Sequence, residues 1–99
     1  MIDIQRQDAR GNEIARYMDI GVIDELLKSV DRSGHCLAFI DPYGDTTFNR
    51  VQLPELLREI AELRARITDP DLQSRTDDLM RFLRLALDEP HLYVKFIGD

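Results

Sequence analysis

The order of patterns along this 99-residue chain predicts an α+β fold: a mainly antiparallel sheet of four to five strands with about three helices packed on one face. Three observations carry that prediction. Both ends of the chain alternate apolar and polar residues, Ile2 and Ile4 at the start and Leu92, Val94 and Phe96 at the close. Between them lie stretches whose apolar residues recur at helical spacing. Turn-forming Asp-x-x-Gly tetrads separate the short elements, so the order reads ββαββααβ.

Ile2-Asp3-Ile4-Gln5 alternates as a half-buried strand does, and a second short strand runs from Glu13 to Met18. Asp8-Ala9-Arg10-Gly11 joins them as a hairpin, with aspartate first and glycine fourth, as a type I turn ending in a left-handed residue requires. From Asp19 the period changes. Val22, Ile23, Leu26, Leu27 and Val30 share a helical face, Asp19 is the candidate cap, and Gly21 weakens the start. The helix stops at Asp31-Arg32-Ser33-Gly34.

His35-Cys36-Leu37-Ala38-Phe39-Ile40 is almost wholly apolar and reads as an inner strand. Asp41-Pro42-Tyr43-Gly44 turns the chain into a shorter strand, Asp45 to Asn49. Pro54 opens the next helix, whose stripe is Leu56, Leu57, Ile60, Leu63 and Ile67, with Glu62 and Arg66 as an i, i+4 ion pair. Asp69-Pro70 is a cap followed by a first-turn proline. Leu72, Leu79, Met80, Leu83, Ala86 and Leu87 form that helix's buried face before Pro90. A last strand covers His91 to Ile97.

The chain is read as one domain, 1–99, with a hydrophobic share of 43% that is too high for disorder. No apolar run reaches the length of a membrane span, and the start has no apolar leader. Cys36 is the lone cysteine, which excludes an internal disulfide and fits a reducing cytoplasm. The formal net charge of −6 argues against general nucleic-acid binding and favours a basic protein partner.

The stretch Phe39 to Asn49 holds the candidate site: Asp41, Tyr43, Asp45 and Asn49. Asp41, Pro42 and Gly44 satisfy a turn by themselves. The carboxylate accepts a backbone amide two residues on, proline presets φ, and glycine takes a positive φ. Tyr43 and Asp45 are not needed for the turn. The tyrosine ring either folds over the sheet or forms a contact tip for a partner. The spacing does not match a calcium loop: Tyr43 stands at the third position and Gln52 at the twelfth. Asp41 and Asp45 both flank a solvated turn, so nothing splits their pKa values as a catalytic pair requires. His35 and Cys36, as strand neighbours, face opposite ways and form no dyad, and His91 reaches Cys36 only in one register. The four clustered ligands of a zinc site are lacking. No catalytic residue, metal or cofactor is therefore expected. Arginines 58, 64, 66, 75, 81 and 84 interleave with acids 55, 59, 62, 71, 77 and 78, a solvated face or a dimer surface.

Asp41-Pro42-Tyr43-Gly44-Asp45-Thr46, then Phe48-Asn49, Leu53 to Leu63, and Leu92-Tyr93-x-Lys95-Phe96-Ile97-Gly98-Asp99 together resemble a group of small bacterial proteins of unassigned function. The resemblance implies a bacterial, cytoplasmic setting and no substrate, cofactor or catalytic residue. The reading is a small acidic protein that works by binding another protein, as an immunity protein or inhibitor does. One alternative is a small-ligand binder or enzyme using Asp41, Tyr43, Asp45, Asn49 and one histidine near a sheet edge. Another is a homo-oligomer subunit, such as a homodimer.

Overall fold

A computed structural model describes residues 2–17, 21–29, 34–89 and 91–98. Strands β1 (Asp3–Gln7) and β2 (Glu13–Tyr17) form a hairpin, followed by helix α1 (Val22–Leu27). Strand β3 (Asp45–Phe48), helices α2 (Leu53–Arg64) and α3 (Pro70–Arg84), and strand β4 (Tyr93–Ile97) complete the order. The class is α+β, with a four-stranded sheet in the order β2-β1-β4-β3, antiparallel at every pairing.

Alternation decides which residues meet the helices. Ile4 pairs with Phe96, and Phe48 with Val94; each is 2% exposed or less and points into the one core cluster with Leu53, Leu56, Ile60, Leu79 and Leu83. Phe48 and Phe96 meet edge to face at 5.6 Å between centroids. The opposite face carries Gln5, Gln7, Tyr93 and Lys95. Both glutamines are buried although they lie on the polar face. Their register neighbours explain it: Arg16 and Lys95 flank Gln5, Glu13 and Tyr93 flank Gln7, and long side chains cover what lies between them. Gln7 Nε2 donates to Gln5 Oε1 at 2.8 Å.

The Asp8 turn is as expected. Asp8 Oδ1 accepts the amides of Arg10 and Asn12 at 2.9 Å, and Gly11 has φ +83. The register shift between Arg6 and Gln7 absorbs the extra residue as a bulge. The Asp41 turn has the expected carboxylate bond, to the Tyr43 amide at 2.9 Å. Gly44, however, does not have a positive φ, which among the described glycines is found at Gly11 and Gly21. Its need for glycine is steric: a Cβ there would lie 2.7 Å from Asp41 Oδ2. Asp19 and residues 31–33 of the third tetrad lie outside the described residues. Gly21, at φ +76, takes the cap position of α1.

Residues 35–40, expected as an inner strand, form no strand. Leu37–Phe39 is a 3₁₀ turn. The Glu59 carboxylate on α2 accepts the amides of Cys36 (2.9 Å) and Leu37 (3.3 Å), the donors a strand would have offered to a neighbour. Cys36, Leu37 and Ile40 are buried. That is a helical spacing, and an almost wholly apolar run cannot distinguish it from a strand.

The two long helices start as their signals demand. Asp69 caps α3 by accepting the Asp71 amide at 3.1 Å, with Pro70 in first place. Ahead of α2, Asn49 Oδ1 accepts the amides of Val51 and Gln52 while Gln52 Oε1 accepts the Asn49 amide at 2.9 Å. This reciprocal pair works as a capping box one turn before Pro54. The expected Glu62–Arg66 pair is replaced: Glu62 bonds Arg58, which also holds Glu55. Arg64 forks onto Asp77 at 3.0 and 3.2 Å and so joins α2 to α3.

Candidate functional site

The segment from Phe39 to Val51 wraps the edge strand β3. Thr46 Oγ1 accepts the Asp41 amide at 3.0 Å and donates to the Phe39 carbonyl at 3.4 Å, which fixes residues 39–41 beside the strand. The far side of the turn is held by the end of β4. The Gly98 amide donates to the Gly44 carbonyl at 2.7 Å. A Cβ on Gly98 would lie 2.5 Å from the Pro42 carbonyl oxygen and 2.7 Å from that of Gly44. Only glycine allows the two backbones to approach so closely.

The four candidate residues thus share one neighbourhood but not one role. Asp41 serves the Tyr43 amide, and Asn49 serves the start of α2. Asp45 pairs with Lys95 across the strands at 3.3 Å. Each engagement uses one oxygen, Asp41 Oδ1, Asp45 Oδ2 and Asn49 Oδ1. Tyr43 is different. Its side chain does not fold over the sheet: it is 83% exposed, and its hydroxyl has no hydrogen-bond partner among the described residues.

Tyr43 is not alone in this. Phe39 is 67% exposed and Val51 is 87% exposed. These two were not singled out from the sequence. Phe39 stood in an apolar run that read as buried, and Val51 in a loop with no pattern. Their signal lies in the turn itself: once 36, 37 and 40 face the core, residue 39 must face outward.

The remaining chemical groups are apart. Cys36 is buried, and its thiol is pushed up to about 11, first by loss of solvation and then by the charges of Glu59 and Glu55. His35 and His91 are exposed, and His91 adopts a left-handed φ of 68, which histidine tolerates better than most residues. Among the described residues, no group of three or more His, Cys, Asp or Glu is placed to hold a metal ion. None of their helices is long and apolar enough to cross a membrane. Two clefts lie away from the turn. One, of about 290 Å³, lies between α2 and α3, and another, of about 370 Å³, between α1 and the α2–α3 connection. No protein-family model, curated protein or solved structure matches this chain.

Proposed function

We propose that the protein acts by binding another protein through the surface around β3, as an immunity protein or inhibitor would. The observation that carries this reading is the outward set Phe39, Tyr43 and Val51, three large apolar side chains within thirteen residues of one edge strand. Tyrosine is enriched among the few residues that carry most of the energy in protein interfaces. Asp41 and Asp45 stand beside them on a chain of net charge −6, so the complementary partner has a basic surface. The bond from Gly98 ties the turn backbone that carries Tyr43 to β4, which lowers the cost of ordering that backbone on binding.

The test is affinity capture from the native cell with two baits, the wild type and a Phe39→Ser, Tyr43→Ser, Val51→Ser variant. A basic partner held by the first and lost from the second is the expected result. Its association rate should fall steeply with salt, while Tyr43→Ala should act on dissociation. Equal capture by both baits would overturn the assignment of this surface. Turnover of a small molecule lost on Asp45→Asn would replace the binder reading with an enzymatic one.

A further inference from the structure

The cleft between α2 and α3 is lined by more arginines than acids. Its volume is about 290 Å³, and it is lined by Ala61 and Arg64 from α2 and by Asp77, Met80, Arg81 and Arg84 from α3. Arg64 pairs with Asp77 and Arg81 with the adjacent Asp78, so Arg84 leaves the cleft a local charge of +1 on a chain whose total is −6. The groups are not equivalent. Arg64 is locked in a two-pronged bond to Asp77, whose carboxyl that contact holds below the usual range, so the pair forms a fixed wall. Arg81 bonds only the exposed Asp78, at 2.8 Å, and is itself 71% exposed. Arg84 has no ion-pair or hydrogen-bond partner among the described residues.

Basic residues in the last turn of a helix complement its dipole, and that accounts for Arg81 and Arg84 being on α3. It does not account for their sharing a cleft with an arginine from the neighbouring helix. Small Ala61 leaves the space open on the α2 side, and Met80, largely buried, forms an apolar floor.

We propose that this cleft binds a small polyanion, a compound with two or more phosphate or carboxylate groups. Arg84 and Arg81 are the mobile donors and the Arg64–Asp77 pair is the fixed side. The planar fork of arginine matches both oxyanions, and the volume sits at the lower end of small-ligand sites. The overall negative charge does not prevent this. At physiological ionic strength charges beyond about 8 Å are largely screened, whereas those inside the cleft act directly.

Isothermal titration of the full chain with inorganic pyrophosphate and, separately, citrate at physiological salt tests the proposal. One-to-one binding of either supports it, and the tighter of the two tells phosphate from carboxylate chemistry. Arg84→Gln should weaken that binding about tenfold, the equivalent of one charge-assisted hydrogen bond, while lowering the thermal midpoint only slightly, through the lost complement to the α3 dipole. Arg58→Gln, on α2 but outside the cleft, should leave binding intact. Absence of saturable heat with both anions would overturn the proposal, as would an unaffected Arg84→Gln or an equal loss with Arg58→Gln.

Discussion

Gly44 and Gly98 both sit where a Cβ would meet a neighbour, yet the neighbours differ. A side chain on Gly44 meets the carboxylate of Asp41, which can swing away at the loss of one hydrogen bond. A side chain on Gly98 meets the backbone of residues 42 and 44. Gly44→Ala should therefore cost about 1 kcal/mol, like Asp41→Ala. Gly98→Ala should cost more, roughly 2–3 kcal/mol, because backbone must shift. Urea titration checks the order, and the reverse order would refute the Gly98 contact. Cys36 offers a second check. Its raised pKa keeps the thiol protonated, so a thiol reagent at pH 8 should leave the folded protein unmodified and react fully in denaturant. The sequence showed that the Asp8 and Asp41 tetrads turn but not why Gly44 is glycine. That reason lies in where Asp41 places its carboxylate, which spacing alone does not reveal.

For the elements, legibility followed the strength of local signals. Asp69-Pro70 marked the start of α3 correctly because cap and proline are adjacent in sequence and act locally. The start of α2 was read from Pro54, and the capping box just before it was missed. Asn49 drew attention as a ligand candidate and was not weighed as a cap. Asn49→Ala should destabilise the protein by about 1 kcal/mol, with Gln52→Ala costing less, as thermal melts would show. A neutral Asn49→Ala would free its amide for another task. Residues 35–40 illustrate the opposite case. Their conformation depends on Glu59, 23 and 22 residues beyond the two amides it accepts, and no window over the run itself contains that information.

On the scale of the whole molecule, the titrating groups predict a stability profile with two flanks. Asp8, Asp77 and Glu55 are held below their ordinary values of 3.8 and 4.5, respectively by the Asn12 backbone amide and by the arginines Arg64 and Arg58. A depressed carboxyl stabilises the folded state above its unfolded pKa and loses that contribution as pH falls through the folded one. Stability should thus decline as pH falls below about 4. Cys36 works on the other side. Its folded pKa of about 11 exceeds the ordinary 9.0, so the unfolded chain ionises first and stability should fall above pH 9. Denaturation midpoints across pH, repeated with Cys36→Ser, check both flanks, since the alkaline one should vanish in the variant. Composition and period were enough to read the sheet, the helices and the acidic character. Tyr43 was singled out, but the exposure of Phe39 and Val51 was not readable, because it follows from how distant segments pack around β3 and not from local pattern.

The antiparallel register also has a practical side. Ile97 faces Asp3 on one flank and Asp45 on the other, so residue 3, residue 98 and the Tyr43 turn all gather at one rim of the sheet. The Asp8–Asn12 hairpin lies at the opposite rim, a strand length of roughly 17 Å away. An affinity handle or dye attached near residue 2 or 98 would crowd the very surface whose partner is sought. Arg10, exposed at the hairpin tip, is the better attachment point, and an Arg10→Cys variant could be labelled selectively because the natural thiol is buried and protonated. A capture experiment with a handle beside residue 2 or 98 would therefore return nothing for reasons of geometry, where the same bait immobilised through the hairpin would retain its partner.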